Sequence, residues 1–175
     1  MAGTDQLPLL QGPRATIRPG GLADMAPLRA VLAEESVTRW WGEPQSADQI
    51  AAKLRGDGSV LLVVEVNGQV AGGIQYHEEQ DPRYRNAGID IFLSSSYQGR
   101  GAGVEAVGLL ARYLFEHRGH HRITIDPAAA NRRAIRCYQK AGFQPVGVMR
   151  QYERSSDGQL HDGLLMDLIR DDLYS

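Results

Sequence analysis

Three glycines at alternate positions, Gly99, Gly101 and Gly103, follow closely on the apolar run Ile89-Asp90-Ile91-Phe92-Leu93 and open a helical pattern. A strand-to-helix turn of this kind leaves backbone N–H groups unpaired at a helix N-terminus, where the dipole and the absent side chains favour a phosphate. Asp90 alternates with Ile89 and Ile91, so it faces away from them. On a substrate cleft it would be a general base or an ammonium anchor; on a solvent face it would be an ordinary strand carboxylate. Tyr138 lies seven residues beyond Asn131, a residue suited to cap a helix. Its phenol is either a proton donor in a cleft or a satisfied core tyrosine.

Other reactive side chains ask for less. Cys137 neighbours Tyr138 on the helix, about 100° around it, and reads as a small buried hydrophobe with no catalytic role. His117, His120 and His121 gather at a helix C-terminus with no cysteine or carboxylate set nearby, so dipole complementarity and solvation account for them, and no metal site is expected. His161-Asp162 precedes the last strand, on the acceptor side or simply in a turn.

The elements that position these groups follow in order. Residues 15–18 form a strand, and Leu22, Met25, Leu28 and Leu32 recur at helical spacing. Residues 37–42, with both tryptophans, read as a turn or loop. Ser46 and Gln49 have capping-box spacing for a helix over 46–54. Residues 60–66 and 69–76, joined by Asn67-Gly68, form a β-hairpin, because Asn-Gly tolerates the positive φ of a type I′ turn. Residues 77–86 form a loop or irregular edge, 87–93 a strand, and 104–115 a long amphipathic helix ended by Gly119. Residues 122–126 form a strand, 131–141 a helix stopped by Gly142, 143–151 a strand, 155–158 a turn, and 163–169 the last strand. No repeat or linker divides the chain.

Composition bounds the function classes. The chain of 175 residues is 42% hydrophobic and 23% charged, which suits one globular domain with its own core. Residues 1–13 read as a loose arm rather than a signal peptide, leaving 14–175 as the domain. No apolar run approaches the roughly 20 residues of a membrane span, so no membrane partner is expected. A single cysteine points to the cytoplasm. A net charge of −2 argues against a general nucleic-acid binder and leaves room for an acidic patch facing a cation.

The glycine turn fits two ligands. Gly101, Gly103 and Ala106 satisfy G-x-G-x-x-A, and Asp126 ends the next strand, as in a dinucleotide-binding unit. Two helices and a hairpin precede it, however, and only about 50 residues follow, too few for the second half of a Rossmann fold. A Walker loop is absent. The second reading takes in more of the chain: Gln98-x-x-Gly101-x-Gly103 together with Asn131-x-x-Ala-x-x-x-Tyr138-x-Lys-x-Gly142-Phe143 resembles the GCN5-related N-acetyltransferase superfamily over residues 15–169. The resemblance implies an α/β (α+β) domain, with a mixed, mostly antiparallel sheet of about six to seven strands and about four helices. It implies acetyl-CoA as co-substrate and no metal. The pyrophosphate cradle would be Gln98, Gly99, Arg100, Gly101, Ala102 and Gly103; Ile91, Phe92 and Leu93 would lie along pantetheine, and Asn131 and Tyr138 would face the thioester. Tyr138 would protonate the coenzyme thiolate.

Within the superfamily, Trp40-Trp41-Gly42, the strand carrying Asp90, and Asp126-Pro127 resemble the aminoglycoside 6′-N-acetyltransferases. That resemblance implies a sugar site walled by Trp40 and Trp41, with Asp90 on the reacting amine and Asp126 adding negative charge. Glu78, Glu79 and Asp162 could extend a carboxylate lining for a polycation. Residues 77–86 are shorter than the matching segment of the familiar resistance enzymes. The same scaffold acetylates protein N-termini and polyamines, which are the alternative acceptors, and a noncatalytic acetyl-CoA-binding module would be expected to lack Asp90 or Tyr138. The protein would act as a monomer or homodimer.

Overall fold

The structure, a computed structural model, describes residues 9–175. Of the arm expected over 1–13, residues 1–8 lie outside the described residues, and Leu10–Gln11 forms a short strand, β1. The chain continues through β2 (Thr16–Pro19), α1 (Met25–Leu32), α2 (Glu35–Trp41), α3 (Ala47–Leu54), β3 (Val60–Val66), β4 (Gln69–Glu79) and β5 (Asn86–Leu93). Then follow α4 (Ala102–Glu116), β6 (Arg122–Ile125), α5 (Arg132–Lys140), β7 (Gln144–Arg154), β8 (Leu160–Ile169) and α6 (Arg170–Tyr174).

The local signals in the sequence have physical counterparts. Asn67 and Gly68 take φ of 52° and 73°, turning β3 into β4. At α3 the capping box is complete: Ser46 Oγ accepts from the Gln49 N–H at 3.2 Å, and Gln49 Oε1 accepts from the Ser46 N–H at 2.8 Å. Asn131 Oδ1 accepts from the Ala134 N–H at 3.1 Å and starts α5.

Among the described residues eight strands form one sheet in the order β1-β2-β3-β4-β5-β6-β8-β7. Only β5 and β6 run parallel, pairing at Ala87↔Ile123 and Gly88↔Thr124. The sheet therefore has the expected mixed, mostly antiparallel character, with β1 as an additional strand. Among the described residues the α-helices number six rather than about four, because α2 occupies the stretch expected as a turn and α6 follows the last strand. Strand β4 runs on to Glu79, so residues 77–79 belong to the sheet and the connection shrinks to 80–85.

Helices cover both faces. Ile74, Ile89, Leu110, Leu114, Phe115 and Met166 meet on the α4 face, and Leu28, Ile50, Val63 and Phe92 on the face covered by α1 to α3. Each fully enclosed side chain contributes about 1.5–3 kcal/mol relative to exposure. Helices of seven or eight residues are marginal alone, so this burial is what holds α1 to α3 in place.

Candidate active site

β5 pairs with β4 along its whole length, from Glu79↔Asn86 to Gly72↔Leu93, but touches β6 only at its first residues. Beyond Gly88 the two parallel strands part, leaving one edge of β5 with backbone N–H and C=O groups that no strand pairs. The gap opens into a cleft of about 1290 Å³ between β5, the glycine turn, α5 and the end of β6.

One end of the cleft is the glycine turn. Gly99 has φ of 74°, and Gly101, the residue before α4, has φ of 86°. A side chain at Gly101 would be strained and would stand 3.1 Å from Arg14 Cδ. Gln98 ties the turn to the strand, donating from Nε2 to the Leu93 carbonyl at 2.8 Å and accepting from Arg133 Nη1 at 2.6 Å. The guanidinium groups of Arg14 and Arg133 thus flank a cradle of open backbone, a donor set suited to a phosphate. Arg14, which sequence reasoning missed, lies just before β2, far from the turn in the chain, and its backbone N–H is held at 2.6 Å by the Glu105 carboxylate of α4.

The other end carries carboxylates. Asp90 lies opposite Gln75 across β4 and β5, on the face of Phe92 and away from Ile89. Burial pushes the Asp90 carboxyl above its usual range; the Gln75 amide, donating at 3.2 Å, acts against that, and the field of Asp126 adds to it. Asp126, just past β6, accepts a hydrogen bond from Tyr152 Oη, a residue of β7 that had no signal in the sequence. Glu153 lines the same end.

Tyr138 projects from α5 into the cleft, its ring 6.3 Å from that of Phe143. Burial, with the fields of Cys137, Asp90 and Asp126, holds its phenol well above the ordinary tyrosine range, so it stays protonated at neutral pH. Burial also lifts the Cys137 thiol to about 11, too high for a ready nucleophile. Trp40 and Trp41 line the cleft from α2; Trp41 also packs edge-on against Phe92 at 5.1 Å, so its indole serves both wall and core.

The structure gathers Asp90, Ile91, Phe92, Leu93, Gln98, Gly99, Gly101, Gly103, Asp126, Asn131, Tyr138, Trp40 and Trp41 around this one cleft. Arg100 is exposed on the turn outside the lining, and Ala102 is buried in the first turn of α4. Three expected acidic contributors lie elsewhere. Glu78 follows Ile74 and Tyr76 on the α4 face, where it pairs with Arg118 at 2.9 Å and His120 at 2.7 Å. Glu79 accepts from the Asp81 N–H in the loop, and Asp162 from the Gln151 N–H. The histidine cluster also divides: the chain turns at Gly119 and buries His120 against Glu78, so solvation does not account for that ring. Among the described residues no group of His, Cys, Asp and Glu gathers as a metal set.

Residues 28–143 match the acetyltransferase (GNAT) family model. The chain belongs to the GNAT acetyltransferase family. It is 31% identical over 146 residues to an aminoglycoside N(6′)-acetyltransferase type 1 from Klebsiella pneumoniae, covering 72% of each chain. It is 27% identical over 160 residues to a spermidine N(1)-acetyltransferase from Escherichia coli, covering 88% of this chain and 85% of that one. The fold overlays a structure of AAC(6′)-Ib in complex with ribostamycin and coenzyme A with a TM-score of 0.74 and 26% identity, covering 92% of this chain and 96% of that chain. The protein is an acetyl-CoA-dependent N-acetyltransferase, and the cradle and open strand edge fit that co-substrate. No helix among the described residues is long and apolar enough to cross a membrane.

Proposed function

We propose that this GNAT enzyme acetylates a primary amine of a polycationic acceptor, the 6′-amine of an aminoglycoside. The observation that carries the reading is the grouping of Asp90, Asp126 and Glu153 in the cleft lining, apart from the glycine turn that Arg14 and Arg133 flank; Arg39, over the Trp40 ring at 5.9 Å, and Glu105 line the cleft as well. Such a cleft attracts a phosphate-bearing donor to one end and a polyamine to the other, for the ordinary Coulomb reason. The Trp40 and Trp41 faces supply a flat wall for a sugar ring beside the carboxylates.

In this reading Gln98 to Gly103 hold the pyrophosphate, and the free edge of β5 from Ile91 to Leu93 pairs with the pantetheine amides. Asp90 takes a proton from the acceptor ammonium, and the freed amine attacks the thioester carbonyl. As the C–N bond forms and the C–S bond breaks, Tyr138 gives its proton to the departing sulfur. The second N–H proton, acidified by acylation, restores the tyrosine through solvent. A Tyr138 phenol held protonated and an Asp90 carboxyl raised above its usual range by burial suit these roles.

A second acceptor class has its own support in the spermidine N(1)-acetyltransferase relative, because a linear polyamine meets the same carboxylates. Thiol release measured with acetyl-CoA against aminoglycosides, spermidine and N-terminal peptides separates the acceptors. The reading expects turnover of at least one aminoglycoside and its loss in Asp90→Asn. Turnover of spermidine or peptides alone would overturn the aminoglycoside assignment.

A further inference from the structure

Behind Asp90, outside the cleft lining, stands a short chain of polar contacts that none of the preceding chemistry uses. Lys53 Nζ on α3 donates to Gln75 Oε1 at 3.1 Å, and Gln75 Nε2 donates to Asp90 Oδ2 at 3.2 Å. Three elements, α3, β4 and β5, thus meet on one side chain. An ammonium has only protons to offer, so Lys53 fixes which end of the Gln75 amide faces it. The remaining end, the NH₂, must then face Asp90. Without Lys53 the amide could turn and present its oxygen to the carboxylate.

We propose that Gln75 is the positioning residue for Asp90, with its amide locked in the donating orientation by Lys53. The inference rests on the reading of Asp90 as the base and names what keeps that base usable. Asp90 is otherwise surrounded by influences that favour its neutral form: burial and the Asp126 carboxylate. On the other side stand the Gln75 N–H, the Lys53 charge and His77, whose ring lies over Gly88 beside it. Tyr138 also feels the Asp90 charge. Among the described residues, Gln75 is the one group that donates directly to the Asp90 carboxylate. It therefore fixes the carboxylate rotamer and sustains its ionised form. Lys53 acts partly through space and partly through the amide, at the cost of partial desolvation, which lowers its own proton affinity.

The test reads Asp90 itself. Protein labelled with ¹³C at the aspartate carboxyl carbons is titrated by NMR, and the Asp90 resonance is identified by its absence in Asp90→Asn. In Gln75→Leu the Asp90 midpoint should rise by about one pH unit, a tenfold gain in proton affinity. Gln75→Glu keeps the side-chain shape and replaces the donor with a carboxylate, and should raise the midpoint further. Lys53→Met should shift it in the same direction. The double variant Gln75→Leu/Lys53→Met should move it by less than the sum of the single shifts, because part of the lysine effect passes through the amide. The acid limb of kcat/KM with ribostamycin or spermidine, whichever turns over, should move in parallel. An unmoved midpoint in both Gln75 variants, or strictly additive shifts, would overturn the proposal. Should Asp90→Asn retain activity, the base assignment fails while the NMR titration still decides the role of Gln75.

Discussion

Tyr152→Phe is predicted to tighten binding of a polycationic acceptor, although it removes a polar group from the cleft. The side chain reaches Asp126 by an unusual route. Pairing between β7 and β8 breaks between Met149 and Glu153, and Gln151 adopts φ of 53°, its N–H held by Asp162. This bulge re-aims Tyr152 across Gly163, where a Cβ would stand 2.8 Å from the ring. The phenol then donates to the Asp126 carboxylate, and this hydrogen bond, foremost, lifts the Tyr152 phenol to about 12. At assay pH the tyrosine is therefore a neutral donor already occupying the carboxylate proposed to meet the acceptor's ammonium. A hydrogen bond to a charged group is worth about 1.5–3 kcal/mol when shielded. Tyr152 is 53% exposed, which places the contact nearer 1 kcal/mol. Its removal should tighten acceptor binding about fivefold. Calorimetry with ribostamycin on the enzyme saturated with coenzyme A measures this, and coenzyme A affinity itself should stay unchanged. Weaker acceptor binding in Tyr152→Phe would refute the reasoning, since the phenol would then be contacting the acceptor rather than competing with it. An unchanged dissociation constant would equally show that the Asp126 contact does not oppose binding.

Three further outcomes follow from the geometry. Tyr138→Phe keeps the buried ring and deletes the proton, so kcat should fall about 100-fold or more with little change in the KM for acetyl-CoA; a kcat within twofold of the parent would remove Tyr138 from the reaction. Gly101→Ala places a Cβ at positive φ against Arg14, and should weaken coenzyme A about tenfold by calorimetry, through a strain of about 1–2 kcal/mol; unchanged affinity would argue against the cradle. Burial alone would raise the Glu78 carboxyl, but hydrogen bonds from Arg118 and His120 outweigh it and hold it below the usual range. A depressed carboxyl stabilises the fold above its unfolded value near pH 4.3, and that stability is lost as pH falls through the folded value. Glu78→Gln should therefore cost about 1–2 kcal/mol in urea unfolding at pH 7, with the gap closing below about pH 4; a gap constant with pH would contradict the pairing.

The glycine turn at one end of the cleft was legible in the sequence because backbone geometry demands particular residues there. A turn at positive φ selects glycine, and strand alternation put Asp90 on the face opposite Ile89. The missed features depend on distances along the chain that no local pattern encodes. The partnership of Gln75 with Asp90 requires the β4–β5 register, which is set across the 80–85 connection. The same register sends Glu78 to the α4 face instead of the cleft, and a reading of 77–86 as a loop could not see it. Helix α2 is short, and its Val, Thr and Trp residues have weak helix propensity. It is held by Val37 in the core and Trp41 against Phe92, contacts that exist only after the sheet has formed.

The two ends of the cleft therefore differ in kind. Where β5 leaves β6, the binding groups are main-chain N–H and C=O groups, and their placement follows from the divergence of two strands and the turn into α4. Any sequence that builds this topology presents them, although the glycine spacing alone also suits a dinucleotide, and acetyl-CoA is reached only through the resemblance carried jointly by Gln98 to Gly103 and Asn131 to Phe143. The groups proposed to meet the acceptor are side chains borne by separate elements: Trp40 and Trp41 on α2, Asp90 on β5, and Asp126 after β6, the last held by Tyr152 from a bulge of β7. Each can change without altering the sheet, because a bulge in an edge strand or a seven-residue helix contributes little to the shared core. The proposed donor site is thus set by the part of the molecule that also fixes the fold. We propose that the choice of amine rests on α2 and the β7 bulge, so that substitutions there should redirect the acceptor while leaving acetyl-CoA binding intact.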